Sequence, residues 1–581
     1  MTNVEIAAVL EQVADLLEFQ GTNPFRIRAY RNAARTIHDL PHSVADVVAD
    51  PDRALTDVEG IGKDLAKKVA TLVETGSLPM LEDLLAEIPQ SVLAILRVPG
   101  LGPKRAAVLY NELGVATLDE LREKCQSQQV RGLKGFGAKT EDAILRGLDI
   151  AAEAQQRVLW SDADQHVRAI LAHMRRCGAV EQLQPAGSYR RGRETVGDLD
   201  FLAVARDPGG VMDHFAAYDD LADVMLRGET KMSIRLSGGL QVDLRVVAAE
   251  SFGAALQYFT GSQAHNVALR GMAKRRGLKI NEYGVFRGNK SVAGRTEEDV
   301  YAALELPCFP PELREARREF QWAQSQWAQS GELPRLVELK DVRGDLHMHS
   351  TWSDGVSTIT EMVKAAKKRG LKYVAITDHS KRVAMARGLD ADRLRRQWDE
   401  IDALGERITG ITVLKGIEVD ILEQGGLDLD DDVLAEADWV LASVHYGQNQ
   451  SRRRITQRVV EALENPHVSA LAHPTGRMLM RRKPYEIDLE AVLCAARDNG
   501  KMMELNAHPI RLDLDDVACA AAKDLGVPIV ITTDAHRIDG LDMMRYGVQQ
   551  ARRGGLTKDD VANTRTWTAM KKMIGRGTPG Q

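Results

Sequence analysis

The sequence predicts a multidomain chain with three architectures in series: α-helical units at the front, an α+β unit in the middle, and a distorted (β/α) barrel at the end. Three observations carry this. Paired glycines precede helical patterns three times within residues 1–150. Acidic residues sit on strand-like alternation between residues 187 and 243. From residue 341 onward, short apolar runs alternate with helical patterns, as in a parallel βα fold. A chain of 581 residues is also too long for one hydrophobic core.

Composition narrows the class. With 44% hydrophobic and 28% charged residues the chain reads as globular, and a net charge of -6 argues against a uniformly basic nucleic-acid coat. A local basic surface remains compatible with that balance. Cys125, Cys177, Cys308, Cys494 and Cys519 show no CxxC spacing, which predicts reduced thiols. Met1-Thr2-Asn3-Val4-Glu5 does not open a signal peptide, and no apolar run reaches membrane-spanning length. A cytoplasmic protein without membrane contact is expected.

The front elements come first. Gly60-Ile61-Gly62-Lys63, Gly100-Leu101-Gly102-Pro103-Lys104 and Gly135-Phe136-Gly137-Ala138-Lys139 each run into a helical pattern. The glycines permit a tight turn whose backbone N–H groups point outward at a helix start, and Lys63, Lys104 and Lys139 add charge for a phosphate. One copy would read as an ordinary helix–helix turn. Three copies resemble helix-hairpin-helix motifs, which imply DNA binding without sequence readout. The basic, aromatic run Asn23-Pro24-Phe25-Arg26-Ile27-Arg28-Ala29-Tyr30-Arg31, with the first hairpin, resembles the small N-terminal domain of family X DNA polymerases. That resemblance implies that Arg26 and Tyr30 contact the 5′-phosphate side of a gap, and it puts Lys68 where some members carry a Schiff-base lysine. Asp64 stands four residues earlier on the same helix face. The pair predicts a protonated Lys68, suited to binding phosphate rather than to lyase chemistry.

In the middle, Gly187-Ser188 is a turn into a helix start, suited to holding a polyphosphate. Asp198 and Asp200, in Gly197-Asp198-Leu199-Asp200-Phe201, share one strand face by period-two alternation. Gln241-Val242-Asp243-Leu244 reads as a neighbouring strand bringing a third carboxylate. Three clustered carboxylates repel unless cations neutralise them, and two Mg2+ or Mn2+ ions are expected there, with Arg191 stabilising phosphate charge. This set resembles the nucleotidyltransferase superfamily. Tyr258-Phe259-Thr260-Gly261-Ser262, His265-Asn266, Arg270 and Ile280-Asn281-Glu282-Tyr283 narrow the resemblance to family X. It implies that Gly187, Ser188, Arg191, Gly197, Tyr258, Phe259, Gly261, Asn266 and Arg270 line the nucleotide site: Tyr258 and Phe259 against the sugar, Asn266 at the minor-groove edge of the base, Arg270 on the template strand. Gln241 stands where many members have arginine, a departure that bears on the orientation of Asp243.

At the end, strands are expected at Tyr373–Ile376, Val413–Leu414, Trp439–Ala442, Ala470–Leu471, Met502–Leu505 and Ile529–Ile531. Candidate ligands His347, His349, Asp354, His379, Glu418, His445, His473, Asp534 and His536 follow such runs, at the end where barrel enzymes build sites. His467 and His508 fall outside the pattern and are read as non-ligands. The motifs Asp345-Leu346-His347-Met348-His349, Thr377-Asp378-His379, Gly416-Ile417-Glu418, Ser443-Val444-His445, Ala472-His473-Pro474 and Thr533-Asp534-Ala535-His536 resemble the polymerase-and-histidinol-phosphatase (PHP) domain. The resemblance implies up to three ions. The first takes His347, His349, Glu418 and Asp534; the second Glu418, His445 and His473; the third Asp354, His379 and His536. Imidazole and carboxylate without thiolate fit Mn2+ or Zn2+.

Taken whole, the chain resembles bacterial-type family X DNA polymerases with a C-terminal PHP domain. The resemblance implies short-gap filling in base excision repair, a 3′-5′ exonuclease with scope for abasic-site cleavage, and gapped or nicked duplex DNA and deoxynucleoside triphosphates as partners. It implies a nucleoid-associated monomer. Expected boundaries are residues 1–88 (8-kDa-like domain), 89–150 (fingers with two hairpins), 151–250 (palm), 251–318 (thumb), 319–340 (linker) and 341–575 (PHP). Two other readings stay open: a PHP phosphoesterase of small molecules, and a scaffold clamping DNA gaps with an inactive polymerase half.

Overall fold

The computed structural model describes residues 1, 3–38, 44–49, 54–58, 60–89, 91–96, 98, 101–154 and 157–574. Helices fill the front. Asn3–Phe19 and Pro24–His38 pair along apolar faces spaced three and four residues apart, Ile6, Leu10, Val13 and Leu17 against Ile27, Ala34 and Ile37. That cluster ends at Val92, and a second one, from Ile95 to Leu148, holds the other two hairpins. Tyr30 belongs to the first cluster. It is 2% exposed, and its hydroxyl donates to Met80 Sδ at 2.9 Å. The expected phosphate contact of Tyr30 is thereby corrected: its helical phase, shared with Ile27 and Ala34, turns it inward, while Arg26 stays at the surface.

The middle is a five-stranded mixed sheet. From edge to edge it runs Val180–Pro185, Asp198–Ala205, Gln241–Val246, Lys231–Leu236 and Leu221–Arg227. Asp198–Ala205 lies parallel to Gln241–Val246 in a register that sets Asp200 opposite Asp243. Helices Phe252–Thr260 and Gln263–Arg275 and a three-stranded antiparallel sheet over residues 279–293 follow. Buried Glu297 receives Arg190 at 2.9 and 2.7 Å and also Arg314, itself 1% exposed, so one carboxylate joins the sheet's first turn to the segment after it.

Residues 319–340, expected to be a linker, are packed on both sides. Glu319–Trp322 is helical, and Phe320 and Ala323 complete the apolar core around Tyr301 and Phe309. Buried Glu319 bonds His265 Nδ1 at 2.8 Å and accepts the backbone N–H groups of Ala316 and Arg317. On the other side the Trp322 indole lies against Gly555, and Val337 N–H donates to the Leu556 carbonyl at 3.0 Å.

Seven parallel strands in sequential order form the carboxy-terminal barrel: Gly344–Asp345, Tyr373–Ile376, Thr412–Asp420, Trp439–Ser443, Ala470–Leu471, Met502–Asn506 and Ile529–Thr532. Past the last strand, Ala535 bridges back to Met348, and the Ala535 carbonyl accepts His349 N–H at 2.8 Å, so the ring is nearly closed at its carboxyl end. The expected strands all appear because strands buried on both faces read as continuous apolar runs. No helix among the described residues is long and apolar enough to cross a membrane.

The Glu297 carboxyl is held near a pKa of about 2: burial opposes ionisation, and the Arg190 and Arg314 guanidiniums outweigh it. A depressed carboxylate contributes stability above its unfolded value and loses it as pH falls toward the folded one. Glu297→Leu leaves two arginines uncompensated and is expected to destabilise the middle of the chain by about 3–5 kcal/mol. Urea unfolding followed by hydrogen exchange at the sheet checks this, and a change under about 1 kcal/mol would refute it.

Candidate functional site

The first centre rests on the parallel strand pair. Asp198 is exposed, Asp200 is half-buried and Asp243 is buried, and the two strands present all three at one sheet end. Asp200 is pushed up to about 7, first by burial and then by Asp198 and Asp243, which outweigh Arg245 and Lys231. A carboxyl so disfavoured as an anion is the environment a divalent cation relieves, so the residues fit an ion. Gln241, in place of the arginine common in the resembling family, donates through Nε2 to Asp243 Oδ1 at 3.0 Å. It orients Asp243 without adding charge.

Gly187 is required by this cluster. Its φ is +63°, and a Cβ there would lie 2.6 Å from Asp200 Oδ2. Ala186 N–H donates to the Asp200 carbonyl at 2.8 Å, fixing the turn that carries Ser188 beside the strand. Gly197 is the residue between the short strand Thr195–Val196 and Asp198. Arg191 is not free to meet phosphate here: it donates to Glu315 at 3.1 Å and to the Thr260 carbonyl at 2.5 Å. Asn266 Nδ2 donates to the Tyr258 carbonyl and its oxygen accepts from Gln257, both at 2.7 Å. Arg270 lies 5.8 Å from the Tyr258 ring centre, and Arg245 lies 4.5 Å from that of Phe259. Gly261 passes close to Arg191, where a Cβ would stand 3.1 Å from its guanidinium.

The hairpins repeat one geometry. Ile61, Leu101 and Phe136 are buried between their glycines, and each N–H bonds the carbonyl three residues back. Gly60 and Gly135 have φ of +88° and +86°. Gly62, Gly102 and Gly137 are exposed just before a helix start, and Lys63, Lys104 and Lys139 are exposed in the first turn that follows. Gly100 lies outside the described residues. Lys68 donates to Asp64 at 2.6 Å and sits 5.4 Å from the Tyr30 ring. Burial lowers the Lys68 ammonium pKa, but the Asp64 and Tyr30 interactions outweigh it and raise it above the usual range.

The second centre fills the carboxyl mouth of the barrel. Glu418 is 1% exposed and receives imidazoles from four strand ends: His379 at 2.7 Å, His473 at 2.9 Å, and His347 and His445 at 3.5 Å. Asp534 lies 3.1 Å from His349, and Asp354 lies 3.4 Å from His536 and 3.6 Å from His379. The buried His347 Nε2, His349 Nδ1 and Glu418 Oε2 have no hydrogen-bond partner. Orphaned donor atoms converging in a buried cage fit metal ions. The geometric groups overlap the expected sets. His349 belongs both with His347 and Asp534 and with Asp354, His379 and His536, while His379 also groups with Glu418 and His445. His467 and His508 lie in none of these groups among the described residues.

Two carboxylates and an amide that the motifs did not single out hold these side chains. Glu504 bonds His347 Nδ1 at 2.6 Å and accepts Thr532 Oγ1 at 2.5 Å; Asp420 bonds His445 Nδ1 at 3.1 Å; Asn506 donates to Asp534 at 3.0 Å. Their one sequence signal is a polar side chain within an apolar run, Met503-Glu504-Leu505-Asn506. Burial and the neighbouring rings His536 and His379 push His349 down to about 3, which keeps its lone pairs available. For His379 burial is outweighed by Glu418 and Asp354, and the ring is carried up to about 10.

The two centres are bolted together. Glu194, at the end of the turn that begins at Gly187, accepts Arg477 at 2.5 Å and Gln550 at 2.7 Å from the barrel. Arg553 donates to the Arg191 carbonyl at 2.8 Å and to Asp516 at 2.7 Å.

Comparison with known proteins finds family models along the chain. A helix-hairpin-helix domain matches residues 1–78, a SAM-like helix-hairpin-helix tandem 92–149, a DNA polymerase beta thumb 255–315, and a PHP domain 345–508. DNA polymerase/3′-5′ exonuclease PolX of Bacillus subtilis is 40% identical over 99% of this chain and 100% of its own length. A protein of Thermoanaerobacter sp. named as a probable phosphatase is 32% identical over 38% of this chain and 89% of its own. DNA polymerase lambda of Rattus norvegicus is 29% identical over 54% of this chain and 56% of its own.

Gly187→Ala is expected to weaken Mn2+ binding at the carboxylate trio by roughly tenfold or more, because a strained turn of about 1–2 kcal/mol presses on Asp200. Electron paramagnetic resonance of bound Mn2+ reads this, and unchanged affinity would refute it. In an Asp198→Ala/Asp200→Ala background, barrel affinity for Mn2+ should rise with pH, by about tenfold per unit for each proton released. Glu418 and Asp354 raise the His379 ring to about 10, so its proton is the one a bound ion is expected to displace. A flat profile between about pH 6 and pH 8 would refute that displacement.

Proposed function

The chain belongs to the PolX family of DNA polymerase/3′-5′ exonucleases, and on that premise we propose that it fills short gaps in DNA during base excision repair and trims 3′ ends in its barrel. It is an enzyme of two activities, and its substrates are DNA and deoxynucleoside triphosphates. One observation carries the reading: a carboxylate trio on paired strands and a histidine–carboxylate cage are both complete on one chain.

Each half assigns roles to its residues. Asp198, Asp200 and Asp243 would hold divalent cations, Mg2+ or Mn2+, which when bound supply charge neutralisation to the phosphates and the attacking hydroxyl. Gly187 and Ser188 bring backbone N–H groups beside them, and Gln241 holds Asp243 in register. Tyr258 and Phe259 form the sugar wall, braced by Arg270 and Arg245. Asn266 keeps one amide proton beyond its bond to Tyr258 and can present it to a base edge. Arg191 reaches phosphate only by leaving Glu315.

In the barrel, the nine ligands would hold up to three Mn2+ or Zn2+ ions. Glu504 and Asp420 bond the Nδ1 atoms of His347 and His445, which leaves each Nε2 facing Glu418. The hairpin lysines Lys63, Lys104 and Lys139 would grip DNA backbone. Lys68 is assigned to phosphate binding, because its amine is held protonated. The chain is read as a monomer with the domain boundaries given above, except that segment 319–340 is a packed joint between thumb and barrel.

The test uses DNA with a one-nucleotide gap, a 5′-phosphate and a labelled primer, with Mn2+. Extension with deoxynucleotides and shortening without them are expected. Asp198→Ala with Asp200→Ala should abolish extension and keep shortening, and His347→Ala should do the reverse. Loss of both activities in either variant would overturn the two-centre assignment. Hydrolysis of small phosphate esters but not DNA, or binding without turnover, would favour a phosphatase or a scaffold.

A further inference from the structure

Among the described residues, one further group of potential metal ligands shares no residue with either centre. Glu5, on the first helix, comes together with His166 of helix Trp160–Met174 and Asp220, which precedes the edge strand Leu221–Arg227. One donor atom from each lies within 4.8 Å of the others. His166 Nδ1 stands 4.0 Å from Glu5 Oε1 and 4.0 Å from Asp220 Oδ2. The His166 side chain is only 5% exposed, and its Nδ1 makes no hydrogen bond.

The Glu5 and Asp220 carboxyls also bond one another, and the buried imidazole nitrogen aimed at the pair can gain a partner in two ways. A proton on it would draw an oxygen to a charge-assisted hydrogen-bond distance of about 2.8 Å. Neither oxygen is that close. Two donors each about 2.1 Å from a shared tetrahedral ion stand roughly 3.4 Å apart, so the 4.0 Å spacings here have only a small inward movement to make on binding. The Asp220 loop is already fixed, since its backbone carbonyl accepts both Ser237 N–H at 3.2 Å and Ser237 Oγ at 3.4 Å. One imidazole with two carboxylates selects borderline divalent cations, Mn2+ or Zn2+, over Mg2+.

We propose that Glu5, His166 and Asp220 form a third divalent-cation centre, which latches the amino-terminal helical domain onto the middle sheet. Two ligands come from the sheet domain and one from the helical domain, so occupancy ties the hairpin carrying Lys63 and Lys68 to the body that carries the carboxylate trio.

Hydrogen exchange on the full-length, metal-depleted protein tests this, because each site is read from its own peptides. Added Mn2+ should slow exchange in peptides covering residues 3–19 and 160–174 by about tenfold or more, and Mg2+ should not. Glu5→Gln and His166→Ala should each lose that slowing. Slowing of the barrel peptide around residues 345–354 by Mn2+ should persist in both variants, which certifies that they fold and bind ions elsewhere. The proposal is overturned if Mn2+ leaves the first helix unaffected, if Mg2+ protects it equally, or if the slowing survives both substitutions.

Discussion

Buried carboxylates, and what neutralises each one, set the layout of this molecule. Glu297 is neutralised by two guanidiniums and joins the sheet domain to the segment that follows it. Burial opposes ionisation of Glu418, but imidazoles from several strand ends hold its pKa well below the usual range, so the barrel's carboxyl end converges on one side chain. At Asp200 burial, Asp198 and Asp243 outweigh Arg245 and Lys231, and the carboxyl is pushed up to about 7. The difference is chemical. A carboxylate held by guanidiniums, as Glu297 is, is structural, whereas one set among other carboxylates or among imidazoles with orphaned atoms is the environment a divalent cation relieves.

The two centres share a wall. The turn that begins at Gly187 ends at Glu194, and Glu194 is gripped by Arg477, four residues beyond the ligand His473. Arg553 reaches across to the Arg191 carbonyl, to Glu315 and to Asp516, so nucleotide turn, thumb and barrel meet in one buried network. Gly192, with φ of +66°, packs against the Gln549 side chain, whose amide would have to shift for a Cβ 2.3 Å away. Segment 319–340 runs along the same seam. Polar composition made it read as a linker, whereas Phe320, Trp322, Leu336 and Val337 are what pack it. Four apolar anchors are enough to convert a polar run into a joint.

Residues whose chemistry is local were legible in the sequence. Asp198 and Asp200 share a face because strand alternation has period two, and barrel ligands follow apolar runs because parallel strands are buried on both sides. Lys68 and Asp64 pair as their four-residue spacing predicts. Tyr30 was misread for an equally physical reason. A basic, aromatic run looks like a nucleic-acid surface, but helical phase buries every third or fourth residue of it.

The sequence by itself determined the domain series, the strand positions, the ligand types and the hairpin turns, since each follows from patterns a few residues long. Tertiary structure alone decided which candidate ligands stand within reach of one another, as with His349 in two groups at once. It also decided that Glu504 and Asp420 hold rings from other strands, that Arg191 is engaged by Glu315, and that Glu5 meets His166 and Asp220. Those contacts join residues far apart in the chain. Register, ring closure and domain docking bring them together, and no local spacing records the distances involved.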